Sequence, residues 1–331
     1  MIFKLLKSYN TSNLLLIILL TVVFLLGFFA DSYNGLSVQN GAFSLYSLVY
    51  DFFAEINKPL LNKIIITILI LFEALFLTVI NNYYNLLGKR TYLPMLIYIL
   101  VVLNILNTIE ISAIIFANIL FLAAWLNVKK AAGKEHAIAN YYNASILIGI
   151  ASLFYPNYIF LVVILWFNLL IIRKGGIREL IFSILGVLTV WYFVFSYYYL
   201  SDKEIIPITQ LFHFEFSFHD FINLKPSQII TRIYISIIFI FAVLHILKYF
   251  ISLKIDIRNN LKLLFILFVV GLVLVVSTNA SLEIVHLTAI PVSLFISYFL
   301  VSIKKAFISN ILLAGLLLLT IFNLYFGYLI N

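Results

Sequence analysis

A chain of 331 residues that is 64% hydrophobic and only 10% charged carries too few charges to cover a water-facing surface. A soluble domain needs roughly 25% charged residues, so composition excludes an ordinary soluble globule and leaves most of the outer surface to lipid. The formal net charge of +8 does not point to nucleic acid, because the basic residues sit in short connections between apolar runs, and the lack of cysteine excludes disulfides, thiol nucleophiles and cysteine metal sites.

Apolar runs of membrane-spanning character are predicted near 13–30, 62–81, 93–107, 111–127, 137–154, 157–172, 180–200, 231–250, 262–279, 285–303 and 310–329. The first, with Lys4 and Lys7 before it and Ala30 at its end, has the outline of a signal peptide. Phe28 occupies the position where cleavage needs a small residue, so this run reads as a retained first helix. The connection that follows, 31–61, contains an amphipathic stretch. Over Phe43 to Ile56, Leu45, Leu48, Val49, Phe52 and Ile56 share one helical face, and Ser44, Ser47, Asp51 and Glu55 the other. That spacing predicts a helix lying flat on the membrane surface.

The third run is short, and the fifth begins with the polar group Asn140, Tyr141, Tyr142 and Asn143. Pro156 and Asn157 separate the fifth from the sixth with almost no loop. Residues 137–172 therefore form either a tight hairpin of two spans or a re-entrant element lining a cavity. Beyond the seventh run, the connection 201–230 alternates strictly: Phe212, Phe214, Phe216 and Phe218 against His213, Glu215, Ser217 and His219. A period of two predicts an extended segment, aromatic on one side and polar on the other.

The connections alternate in charge. Lys4 and Lys7, Lys89 and Arg90, Lys129, Lys130 and Lys134, Arg173, Lys174 and Arg178, Lys254, Arg258 and Lys262, and Lys304 and Lys305 fall on one side of an eleven-span chain. Asp31, Asp51, Glu55, Glu110, Asp202, Glu204, Glu215, Asp220 and Glu283 fall on the other. Basic loops stay in the cytoplasm, which puts the N-terminus inside and Asn331 outside. The Arg173–Glu179 connection reads mainly as topology-setting charge, with lipid headgroups or a partner as its other use.

Few residues are placed to carry chemistry. Glu73 stands in the middle of the second run, where an ionisable group costs about 2.5–3.5 kcal/mol to insert. It reads either as a proton or ion site or as a hydrogen-bonded acid holding two helices together. His245 could relay a proton with Glu73 if their helices touch; otherwise it is a neutral polar contact. Asn104, Asn107, Asn118 and Asn168 read as interhelical hydrogen-bonding residues. His213, Glu215 and His219 are of zinc- or manganese-ligating type. On a straight strand, however, the two histidines stand about 20 Å apart, so no metal site is assigned. Asp31, directly after the first run on the outer side, is where a membrane glycosyltransferase using polyprenyl-phosphate sugars holds its catalytic base. An aspartate at a helix end also simply marks the outer side.

The stretches Thr91-Tyr-Leu-Pro-Met-Leu-Ile-Tyr98, Phe116-Ala-Asn-Ile-Leu-Phe-Leu-Ala123 and Ile146-Leu-Ile-Gly-Ile-Ala-Ser-Leu-Phe-Tyr155, with Arg178-Glu179 and Gly186-Val-Leu-Thr189, carry a resemblance. The chain resembles a family of multi-pass inner-membrane proteins of Bacteroidota, domain of unknown function 6427. The likeness is most distinctive between residues 91 and 195. It implies topology and compartment but no activity. The family pattern has a proline after Gly-x-x-Thr, where Val190 stands here, so the kink it would make is not implied for this chain. The family also accepts an amide at the position of Glu73.

The expected fold is all-α: one membrane domain over residues 1–331, a polytopic transmembrane bundle of about eleven spans, with outer connections 31–61 and 201–230, in the bacterial cytoplasmic membrane. The leading functional expectation is cell-envelope biogenesis as a lipid-linked glycan transferase or polymerase. In it Asp31 is the base, and His213, Glu215 and His219 lie near the bound phosphate or ion. The alternatives are a secondary transporter or flippase using Glu73, and a non-catalytic scaffold subunit. The bilayer is the expected partner, with a polyprenyl-phosphate-linked substrate on the transferase reading; no nucleic acid is expected and no cofactor is assigned.

Overall fold

The computed structural model describes residues 10–28, 45, 49, 51–53, 59–105, 112–131, 137–173, 176–202, 226–277, 284–303 and 305–329. Among them the fold is helical, without strands. The helices are α1 (Thr11–Phe28), α2 (Pro59–Tyr84), α3 (Leu93–Ile105), α4 (Ala113–Ala131), α5 (Ile138–Phe154), α6 (Val162–Asn168), α7 (Ile177–Leu200), α8 (Pro226–Tyr249), α9 (Ile255–Ser277), α10 (Val285–Ser302) and α11 (Ala306–Leu329). Seven helices, α2, α4 and α7 to α11, are long and apolar enough to cross a membrane. The chain is therefore a helical membrane protein. The shorter apolar helices are α1, α3, α5 and the segment Pro156–Ile172. At 13 residues, α3 is about 20 Å long, less than a hydrocarbon core of about 30 Å.

Burial separates a central layer from a peripheral one. In α3, Met95 to Val102 are all 0% exposed, and 83% of α10 is buried. A helix apolar on every face and covered on every face belongs in the middle of a bundle. The two pack against each other, with α2, α8, α9 and α11 around them. By contrast only 22% of α7 is buried; Ile181, Leu185, Leu188, Tyr192 and Phe193 point outward. Such a face is stable in lipid and not in water.

α5 lies between α4 and α7. It meets α7 through small residues. A Cβ on Gly186 would stand 1.9 Å from Ser145 Oγ and 2.7 Å from the Tyr142 carbonyl oxygen, so only glycine lets the backbones come this close. From the other side, Val190 packs on Gly149, 3.0 Å from where a Cβ would be. With valine at that position, α7 runs as continuous helix from Ile177 to Leu200.

The chain reverses between α5 and α6 at Tyr155, whose extended backbone ends α5. Pro156, which has no N–H to donate, opens a 3₁₀ turn over Pro156–Leu161. α6 follows, and Leu169–Arg173 is π-helical. The fifth predicted run is thus one regular helix, and the irregular backbone is confined to the sixth.

The α2–α3 turn is stitched by asparagines. Asn85 and Gly88 take the left-handed backbone, at φ 48° and 74°. Asn82 Oδ1 accepts from Thr91 N and from Asn81 Nδ2. Lys89 Nζ reaches the Val301 carbonyl at 3.5 Å, and Lys129 Nζ donates to Asn260 Oδ1. These contacts gather the C-terminal ends of α2, α4 and α10 and the N-terminal end of α9 at one end of the bundle, the end rich in Lys and Arg.

Of the predicted surface helix, the described residues 45, 49 and 51–53 are helical. Leu45 and Val49 pack on the core and Phe53 is 9% exposed, whereas Phe52 is 60% exposed. The inward stripe is 45, 49, 53, a slightly different face from the one expected. The extended segment predicted at Phe212–Phe218 lies outside the described residues.

Candidate functional site

Glu73 sits midway along α2 with no exposed surface. An isolated carboxylate in an apolar interior costs tens of kcal/mol if ionised, so a partner is required. Two are present. Tyr98, in the middle of α3, donates its hydroxyl to Glu73 Oε2 at 2.8 Å. His286, in the first turn of α10, brings Nε2 to 2.9 Å from Tyr98 Oη and 3.2 Å from Glu73 Oε2. Tyr98 is 0% and His286 1% exposed, so three helices meet at a triangle of polar atoms sealed from water.

Proton counting fixes part of the chemistry. The Tyr98 hydroxyl has one hydrogen, and Glu73 Oε2 takes it. Nε2 donates to these oxygens if it carries a hydrogen and accepts from a protonated Glu73 if it does not, so the tautomer follows the state of the acid. His286 Nδ1 and Glu73 Oε1 then face outward from the triangle, and both are buried without a hydrogen-bond partner. Buried polar atoms are nearly always satisfied, so open atoms in a centre this well closed demand an explanation. The arrangement offers a carboxylate, a phenol and an imidazole in mutual contact, with a free acceptor on the carboxylate and a free ring nitrogen at the far side. It can accept, hold or pass one proton, or ligate a small cation.

A second buried polar pair joins the 3₁₀ turn to α4: Tyr158 donates to Asn118 Oδ1 at 2.6 Å. Asn118 Nδ2 is also buried and without a partner. The irregular turn after Pro156 thus places a tyrosine against α4.

The other asparagines join helices too. Tyr141 Oη donates to Asn168 Oδ1 at 2.8 Å, linking α5 to α6. Asn323 Nδ2 lies 3.0 Å from both Asn104 Oδ1 and Thr231 Oγ1, tying α11 to α3 and α8. Asn107 lies outside the described residues.

His245 is not the histidine that faces Glu73. Its ring packs on Tyr249 and Phe299, with centroids 4.9 and 5.3 Å away. Asp31, His213, Glu215 and His219 lie outside the described residues. The residues that sequence reasoning passed over are Tyr98 and His286. His286 carried only a weak signal: it is ionisable but stands at the second residue of its predicted run, not in the middle as Glu73 does. Tyr98 carried none, being one of 21 tyrosines.

Fold and centre together define a polytopic helical membrane protein with an ionisable cluster sealed between its central helices. No family model, curated protein or solved structure matches the chain.

Proposed function

We propose that this chain is a secondary transporter or flippase in which the Glu73–Tyr98–His286 centre takes up and releases a proton or small cation as the bundle changes conformation. The observation that carries the reading is the mutual contact of three ionisable side chains, Glu73, Tyr98 and His286, buried between α2, α3 and α10. Glu73 is the group that binds the proton or ion, Tyr98 bridges, and His286 supplies the compensating partner.

The setting belongs to the same proposal: about eleven crossings of a bacterial cytoplasmic membrane, N-terminus inside and C-terminus outside, in the Bacteroidota family that residues 91–195 resemble. The regular alternation of basic and acidic connections supports it.

A second reading, lipid-linked glycan transfer in envelope biogenesis, keeps one specific support. The helix expected after Asp31 is there in its described residues, docked on the bundle through Leu45, Val49 and Phe53. In that reading Asp31 is the base, with His213, Glu215 and His219 near the phosphate of a polyprenyl-linked substrate.

The test profiles lipid-linked and surface glycans, and growth, in cells carrying wild type, Glu73→Gln or Asp31→Asn. Loss of function in Glu73→Gln alone supports the transporter. Loss in Asp31→Asn with accumulation of an unmodified lipid-linked precursor replaces it with the transferase. Full tolerance of both would leave a scaffold and overturn the proposal.

A further inference from the structure

Away from the Glu73 centre, an apolar cavity of about 300 Å³ lies between α8, α9 and α10, walled by Val243, Ile246, Leu247, Phe250, Phe265 and Phe295. Its volume falls at the lower end of ordinary ligand sites, about 300–1,000 Å³. Leu247 and Phe265, at 62% and 46% exposed, put its mouth on the outer surface of the bundle, where lipid lies.

One charged residue, Lys262, lines this cavity. It belongs to a row: Lys254, Arg258 and Lys262 recur every four residues, so they share one face of the α9 entrance. Phe250 joins the row to the cavity. The Lys262 ammonium lies 5.8 Å and the Arg258 guanidinium 6.0 Å from its ring centroid. Arg258 Nε is buried and has no hydrogen-bond partner. Lys248, at the end of α8, stands on the adjacent Tyr249 ring, 5.7 Å from its centroid. Asp256 is the acid nearest in sequence, and among the described residues no salt bridge joins it to Arg258 or Lys262. These two cations thus stand at the mouth without an acidic partner among the described residues, and the dipole of α9 adds to their charge instead of offsetting it.

We propose that this cavity is a binding site for an anionic glycerophospholipid of the surrounding leaflet: one acyl chain enters between Leu247 and Phe265, and the phosphate rests on Lys262 and Arg258. Charge complementarity selects the occupant. A hydrocarbon-sized space with cations only at the rim matches a molecule that is apolar along its length and anionic at one end. It does not match a soluble anion, which has nothing to place in the cavity. It also does not match a zwitterionic lipid, whose own ammonium meets the Lys and Arg row. The site is separate from Glu73 and does not rest on the transporter reading.

The experiment compares thermal unfolding of the whole protein in nanodiscs of phosphatidylcholine with increasing phosphatidylglycerol, and counts retained lipids by native mass spectrometry. Wild type is expected to gain stability with phosphatidylglycerol and to retain at least one molecule of it. Arg258→Gln with Lys262→Gln is expected to weaken that retention roughly tenfold or more, at about fivefold for each cation near the surface. Leu247→Trp, which fills the mouth and leaves every charge in place, is expected to lose it as well. Both variants must unfold at the wild-type temperature in pure phosphatidylcholine; if either does not, milder Lys262→Gln and Leu247→Phe replace them. Equal retention of the two lipids, full retention by the charge variant, or equal stabilisation by inorganic phosphate would each overturn the proposal.

Discussion

Glu73 and His286 predict a thermodynamic coupling that can be measured without knowing any substrate. Replacing His286 by Leu leaves Glu73 buried with Tyr98 alone; replacing Glu73 by Met leaves His286 Nε2, 1% exposed, without its acid. Breaking one side of a buried ion pair costs about 3–5 kcal/mol in soluble proteins. Neutral hydrogen bonds between membrane helices average about 0.6 and reach only about 1.7 kcal/mol. The distances of 2.8, 2.9 and 3.2 Å put three contacts in one cluster, so we expect His286→Leu alone to cost more than about 2 kcal/mol. The triple variant Glu73→Met, Tyr98→Phe, His286→Leu removes every polar atom of the triangle together. It should recover most of that loss, falling within about 1 kcal/mol of wild type, because nothing buried is left unpaired. Reversible unfolding in mixed micelles, run as a mutant cycle, reads these differences. Single losses under about 0.5 kcal/mol that add in the triple variant would show that the three residues are neighbours without being a unit.

Other outcomes follow from the packing. Gly186→Leu drives side-chain atoms into Ser145 and the Tyr142 carbonyl, and should destabilise the α5–α7 contact by about 1–3 kcal/mol, visible as a lowered unfolding midpoint. Tyr158→Phe removes the 2.6 Å bond to Asn118 and leaves a buried amide with neither end satisfied, costing about 1–3 kcal/mol on the same assay. The natural lack of cysteine makes single-cysteine mapping clean. With a membrane-impermeant maleimide outside intact cells, Asp202→Cys should label, whereas Arg90→Cys, Lys130→Cys and Lys305→Cys should label only after lysis. All four positions are exposed. Labelling of Arg90→Cys in intact cells would reverse the orientation or change the number of crossings.

The apolar runs were legible because membrane helices must be written as long unbroken hydrophobic stretches. Helix occupies each of the eleven predicted runs, and seven of those helices have span length and composition. Glu73 was legible for the same reason, as a carboxylate against a background of Ile, Leu and Phe. Its partners were not. Tyr98 stands 25 residues from Glu73 and His286 another 188 beyond Tyr98, and no spacing in the chain encodes that meeting. His245, which the sequence offered as a relay only if its helix met that of Glu73, instead packs on Phe299 of α10. The close α5–α7 approach was hidden too: Gly149 and Gly186 look ordinary until the other helix is beside them.

The most direct test of the central claim is proton movement itself. Proteoliposomes holding the protein and a luminal pH-sensitive dye would be challenged with fractionated small-molecule extracts of the host cells. The account predicts a fraction that drives a protein-dependent pH change, lost in Glu73→Gln and kept in Asp31→Asn. A pH change that Glu73→Gln retains, or no protein-dependent change with any fraction, would contradict it.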